Sequence, residues 1–133
     1  MKAFTPSEVH ELWTKAFIAR DLPALLALYE PDAVLAPSSN ERFQGHDAIR
    51  SALEGFLALK PVFQMRPEQV VQAGDLAVLF SPWTLAGTDP DGNEVHMEGV
   101  TSDVVRCQRD GSWLIVIDNP FGGSYSLSEV PAP

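Results

Sequence analysis

The sequence predicts an α+β domain, and three observations carry that expectation. Before residue 60, apolar side chains recur mainly at helical spacing, whereas after it they fall into strand-length runs separated by turn signals. Helices come first and strands follow, the pattern of a helical layer on antiparallel hairpins rather than of alternating βαβ units. The chain has 133 residues, 45% apolar and 20% charged, which is one globular domain's length and composition. Residues 1–123 are read as that single domain. Residues 124–133 are a polar, proline-flanked tail with little to pack.

The first helix begins at Thr5-Pro6-Ser7-Glu8. Thr5 can cap, Pro6 suits the first helical position, and Glu8 sits where a capping box places it. Val9, Leu12, Trp13, Ala16 and Phe17 then form one helical stripe, with His10 expected opposite it and exposed. Asp21 caps a second helix, Leu22–Tyr29, stopped by Pro31. Ala33–Ala36 is a short strand and Pro37–Asn40 a loop. His46–Leu59 is the third helix, ended by Pro61, with His46 a neighbour of its cap.

Val62–Gln72 is expected as one strand, turning at Ala73-Gly74-Asp75 into Leu76–Ala86. Pro82 inside that second strand implies a bulge or an edge position. Asp89–Asn93 is a dense hairpin signal, and Glu94–Gln108 follows as a long strand, bent or bulged near Gly99. Arg109–Ser112 turns into the last strand, Trp113–Asp118, which Pro120 and Gly122-Gly123 end.

Simple alternation places Trp113, Ile115 and Ile117 on one face of this strand, and Leu114, Val116 and Asp118 on the other. Three helices cannot cover both faces of such a sheet. The face with Trp113, Ile115 and Ile117 is therefore expected to meet a second copy, giving a homodimer through the sheet.

The bulk properties exclude several functions. A net charge of −9 argues against a nucleic-acid partner and against an anionic membrane surface. No apolar run approaches membrane-spanning length and no signal peptide is visible, so a cytoplasmic protein is expected. A single cysteine, Cys107, allows no intrachain disulfide and reads as a small buried hydrophobe. No metal-ligand spacing, phosphate-binding glycine loop or nucleophile elbow is present, so neither cofactor nor metal is expected. His96 and Glu98 share a strand face but have no third ligand, which makes them a solvated face.

Two acids stand out. Asp118 ends a strand whose own face is otherwise apolar, where a carboxylate is costly unless paired or neutralised. Asp103 alternates with Thr101, Val105 and Cys107 on another apolar face. If strand pairing brings the two together, one is held protonated as an acid and the other ionised as a base. The structural alternative has Asp118 accepting backbone hydrogen bonds at the strand end and Asp103 paired with Arg106 or another cation. Trp13 and Trp83 could line a pocket and offer an indole N–H, or simply pack in the core. Tyr29 offers a hydroxyl, and Phe56, Met65 and Phe80 are read as apolar lining. Asn119 could orient Asp118 or a ligand, or begin the turn before Pro120.

The order of elements resembles the NTF2-like superfamily, and within it the SnoaL-like and ketosteroid-isomerase-like branch. The resemblance rests on Ala19–Leu35, Arg42–Leu53, Ala73–Leu79 and Asp110–Asn119. It implies three N-terminal helices packed on a curved antiparallel sheet that encloses a pocket, closed by the first helix and the third-helix region. In ketosteroid isomerases that pocket carries a carboxylate base, a tyrosine and a protonated acid. Carried over, the base position is Ala36, the tyrosine position is Trp13 and the protonated acid is Asp103, while a position that is apolar there is Asp118. The family hosts both catalysts and binding proteins. The reading is a pocket for an apolar carbonyl or hydroxyl compound, with Asp103 and Asp118 performing cofactor-free chemistry of an isomerase, cyclase or hydrolase kind. Its alternatives are a non-catalytic binding protein and a dimerisation module.

Overall fold

The computed structural model describes residues 1–38 and 40–123. The tail expectation for 124–133 lies outside the described residues. Helix α1 (Pro6–Ile18) starts as expected: the Thr5 hydroxyl oxygen accepts from the Glu8 backbone N–H at 3.4 Å and donates to the Glu8 carboxylate at 3.1 Å. Helix α2 (Leu22–Leu26) is capped by Asp21, which accepts from Ala24 N–H at 3.1 Å.

The second helix is shorter than the sequence suggested, because Tyr29 opens strand β1 (Tyr29–Ser38) instead of closing the helix. Pairing with the last strand, β7 (Trp113–Asp118), overrides local propensity here: Tyr29 lies opposite Ile115, and the Leu28 carbonyl accepts from Ile115 N–H at 2.7 Å. The β1–β7 register shifts between Tyr29 and Val34, so Pro31, which has no N–H to give, falls where the ladder is irregular. Pro37 and Ser38 are strand rather than loop, and β2 (Glu41–Gln44) pairs back on β1, an element the sequence reading did not contain. Helix α3 (His46–Leu57) follows, anchored by His46 Nε2 at 2.9 Å from the Tyr29 carbonyl.

The expected strand Val62–Gln72 is two strands, β3 (Val62–Met65) and β4 (Gln69–Ala73), which pair in succession with β5 (Leu76–Thr88). Pro82 explains the break. Its carbonyl accepts from Arg66 N–H at 3.1 Å, so its N–H-less nitrogen faces the segment where β3 hands over to β4. In the following hairpin, Asp89 Oδ1 accepts from the N–H groups of Asp91 and Asn93 at 3.0 and 2.8 Å. Strand β6 (Glu94–Cys107) then pairs along the whole of β5. Gly99 makes no bulge in that ladder. A Cβ there would lie 2.9 Å from the Phe121 ring, so the glycine makes room for the chain that leaves β7.

The sheet order is β2-β1-β7-β6-β5-β3, with β4 also on β5. It is a curved mixed sheet, because β1 runs parallel to β7, not the wholly antiparallel sheet expected. The helices pack against its inner face, around Val9, Leu25, Ile49, Leu53, Leu79 and Ile115, all at most 2% exposed. Burying each such side chain contributes roughly 1.5–3 kcal/mol. No helix among the described residues is long and apolar enough to cross a membrane.

One irregularity decides the site. Between β6 and β7, Val104 faces Ile117 but Val105 faces Ile115, so Val116 is an extra residue. This β-bulge breaks the alternation that the sequence reading assumed. Trp113 and Ile115 point inward and are buried by the chain itself, Ile117 turns outward at 40% exposure, and Asp118 turns inward at 6%. The face of Trp113, Ile115 and Ile117 therefore does not exist as a surface.

Candidate active site

A cavity of about 70 Å³ lies between the inner face of the sheet and the helices α1 and α3. Its apolar side is largely aromatic. Trp13 stacks on Phe17 with ring centres 4.8 Å apart, Phe17 meets Phe63 at 5.0 Å, and Phe63 stacks on Trp83 at 6.2 Å. Phe56, Met65, Leu35, Leu53 and Leu85 complete it. The polar side is made of His10, Thr101, Asp103 and Asp118.

Strand geometry brings the two acids together. Thr101 and Asp103 are two apart on β6 and share its inward face, and the bulge in neighbouring β7 turns Asp118 toward them. Asp103 Oδ1 accepts from the Asn119 backbone N–H at 2.8 Å and from the Thr101 hydroxyl. Asp103 Oδ2 lies 2.6 Å from His10 Nε2, and His10 Nδ1 lies 2.7 Å from the Ser81 hydroxyl. Asp118 Oδ2 accepts from the Tyr29 hydroxyl at 2.5 Å, and that hydroxyl accepts from Trp13 Nε1–H at 2.9 Å.

Burial, then the nearby Asp103 charge and a hydrogen bond shared with it, hold the Asp118 carboxyl well above the usual carboxylate range, against the opposing pull of Tyr29. Burial, then the Asp118 charge, likewise pushes the Tyr29 phenol above its usual value, so it stays a donor. The proton on Asp118 can be placed. An indole N–H only donates, so the Tyr29 oxygen receives it and turns its own hydrogen to Asp118 Oδ2. With Oδ2 accepting from Tyr29, Oδ1 is the oxygen left to carry the proton that burial favours on Asp118.

The structure thus brings Asp103 and Asp118 into one cavity and lines it with Trp13, Phe56, Met65 and Trp83. Other expectations change. Neither indole offers its N–H to the cavity: Trp13 gives it to Tyr29, and Trp83 gives it to the Pro120 carbonyl at 2.7 Å. Tyr29 does not line the cavity but acts on it through Asp118. Asn119 is also absent from the wall; its main chain holds Asp103, not Asp118. Phe80 is on the outer face, because Leu79, Ser81 and Trp83 take the inward parity of β5. Since Phe80 and Trp83 are three apart on a strand, parity alone excludes that both line one pocket. Arg106 points outward to Glu30 at 3.0 Å and leaves Asp103 to other partners.

His10 is the residue sequence reasoning missed. It is 1% exposed, not solvent-facing. His10 stands three residues before Trp13 and seven before Phe17, so it borders the apolar stripe instead of opposing it, and that spacing was the signal available. His96 and Glu98 are exposed on the outer face of β6, and no group of three possible metal ligands occurs among the described residues.

Residues 9–116 match the SnoaL-like domain. No curated protein matches the chain. Among solved structures it is similar to a ketosteroid isomerase-like protein from Erwinia carotovora atroseptica, at 21% identity and a TM-score of 0.75, over 84% of this chain and 88% of that one. An NTF2-like superfamily protein from Salmonella enterica is similar at 17% identity and a TM-score of 0.73, over 93% of each chain. A provisional dehydratase of the NTF2-like family from Streptomyces avermitilis is similar at 14% identity and a TM-score of 0.70, over 84% of this chain and 89% of that one. Identities this low speak for the fold alone, but the domain match runs from α1 into β7, and the chain belongs to the SnoaL-like domain family, with an NTF2-like fold.

Proposed function

We propose that the protein is a cofactor-free acid–base catalyst of isomerase, cyclase or hydrolase kind, working in the cytoplasm on a small neutral carbonyl or hydroxyl compound. The observation that carries this reading is the meeting of Asp103 and Asp118 in one largely apolar cavity, with the Tyr29 hydroxyl donating to Asp118 Oδ2. Oδ1–H is the acid and Asp103 the base. With a ketone, Asp103 takes a hydrogen from the carbon next to the carbonyl. That C–H pair becomes a C=C bond, and the carbonyl oxygen takes the Asp118 proton, giving an enol. Where the ketone also carries a β,γ double bond the product is a dienol, and proton return at the γ carbon moves that double bond, which is isomerisation.

Size and charge narrow the substrate. The cavity, about 70 Å³, is roughly half the 150 Å³ apolar cavity that admits benzene, so the substrate is smaller than a six-membered ring or enters as the lining side chains move apart. A ligand carboxylate would meet two acids and no lysine or arginine in the wall, which disfavours it.

A non-catalytic binding protein is the second reading. It is favoured by the absence, among the described residues, of any buried side-chain polar atom lacking a partner in the chain. The experiment that separates the two offers small cyclic ketones in deuterated buffer. Catalysis predicts deuterium uptake next to the carbonyl, lost in Asp118→Asn. Ketones that raise the melting temperature without exchanging would establish binding alone.

The same reading places a second copy on the outer face of the sheet. The cross-strand residues Val78, Val104 and Ile117, with neighbouring Phe80, present apolar surface there.

A further inference from the structure

We infer that His10, held by Ser81, is the positioning residue for Asp103: its Nε2–H fixes Oδ2 so that the remaining lone pair of that oxygen faces the cavity. The inference rests on the acid–base reading for its purpose, and on geometry for its content.

The three residues come from separate elements. His10 is on α1, Ser81 on β5 and Asp103 on β6, and each is at most 4% exposed. Ser81 is opposite Thr101 in the β5–β6 ladder, hence diagonal to Asp103 on the same inward face. His10 and Asp103 line the cavity, but Ser81 does not, so its hydroxyl is out of a ligand's reach. The Ser81–His10–Asp103 chain therefore has the members of a nucleophilic triad without its function. The hydroxyl is at the closed end and the carboxylate at the open end.

The hydrogen bonds assign the roles. Oδ1 of Asp103 is occupied by the Asn119 N–H and the Thr101 hydroxyl. Oδ2 meets the ring at 2.6 Å. Asp103, whose Oδ1 already accepts from two donors, is the acceptor of the pair, so the ring gives an Nε2 hydrogen to Oδ2 and leaves Nδ1, 2.7 Å from the Ser81 hydroxyl, to accept from it. Three donors then hold the carboxyl from behind, and the lone pair left on Oδ2 is the one that meets the Asp118 proton and, once that proton turns to a substrate oxygen, the substrate hydrogen. A base held in this way needs no movement to meet a substrate hydrogen, and a misplacement of about 1 Å costs on the order of 100-fold.

Two measurements test this. In ligand-free protein, nitrogen NMR of the His10 ring is expected to show the hydrogen on Nε2 and a bare Nδ1, with Ser81→Ala mixing the two tautomers. A wild-type ring with its hydrogen on Nδ1 would overturn the inference, because Asp103 would then be the donor of the pair. That measurement stands whether or not any ketone is turned over. In the deuterium-exchange assay, His10→Leu is expected to lower the rate roughly 100-fold, while His10→Gln, whose amide can still donate to Oδ2, stays within about tenfold of wild type. Equal loss in both folded variants would make the ring itself a proton carrier. No loss in either would make it packing. Both results overturn the positioning role.

Discussion

Replacing Asp118 by Asn tests the central claim without any ligand. The folded state holds the Asp118 carboxyl above its ordinary range, so between the ordinary value near 4 and the raised one it binds a proton that the unfolded chain has lost. The stabilisation is complete at acid pH and falls as pH rises through this window, at about 1.4 kcal/mol per pH unit, until Asp118 ionises inside the fold. Asn cannot ionise, and it fits the network: its carbonyl can accept from Tyr29 and its amide can donate to Asp103 where Oδ1–H did. The variant is therefore expected to match wild type near pH 4 and to become progressively more stable than it above that. In a domain this size 1 kcal/mol moves the midpoint by roughly 4 °C, so each pH unit within that window separates the melting temperatures by roughly 5–6 °C.

The assay is thermal unfolding of both proteins from pH 4 to pH 8. Groups far from the pair act equally in both and cancel. Asp110 is one of these, held well below the usual carboxylate range by Lys2 and Ser112 on the surface. Asp103 does not cancel, since the two carboxyls titrate as a unit, and the slope belongs to the pair. Parallel curves would refute the reasoning, since Asp118 would then be no more protonated in the fold than outside it. A wild type that gains on the variant with rising pH would refute it more sharply, by showing an ionised Asp118 stabilised by its surroundings.

Further perturbations address other parts of the molecule. Trp13→Phe removes the N–H that fixes the Tyr29 hydroxyl, and is expected to cost about 1 kcal/mol in urea unfolding. Gly87→Ala puts a Cβ 2.6 Å from the Leu59 carbonyl oxygen, so the β5 end and the chain after α3 must move apart, at roughly 1–3 kcal/mol by the same assay. Wild-type protein is expected to sediment as a dimer at micromolar concentration, and Val104→Lys, on the outer face, as a folded monomer; a monomeric wild type would refute the sheet-face dimer.

What the sequence disclosed divides along a physical line. Caps and turns are local, and Thr5, Asp21 and the Asp89 hairpin act where their chemistry placed them. Parity within one strand is also local, and it put Asp103 beside Thr101 correctly. Partnership between distant segments is not local. Tyr29 reads as the end of a helix until β7 lies beside it, and nothing within a few residues of Tyr29 announces that neighbour. Pro82 signalled an interruption but not which strand would break, since the break occurs in the partner at Arg66–Glu68. His10 was misplaced because the hydrophobic stripe was taken for the helix's whole buried side, while a polar residue at its border had partners on β5 and β6.

The bulge at Val116 is the point where local and distant information meet. A strand without the extra residue would turn Ile117 into the cavity and Asp118 out to water, leaving Asp103 alone among aromatic rings. With it, Asp118 lies under Tyr29, whose position is set by the parallel pairing of β1, and Tyr29 lies under Trp13, set by α1. Two hydrogen bonds link the three elements, and the donor-only indole at the far end makes Tyr29 the donor to Asp118 Oδ2. The acid is thus a property of three elements held in register rather than of one residue. That is also why low-identity likeness to an isomerase-like or a dehydratase-like neighbour fixes the fold and leaves the chemistry to be argued from these side chains.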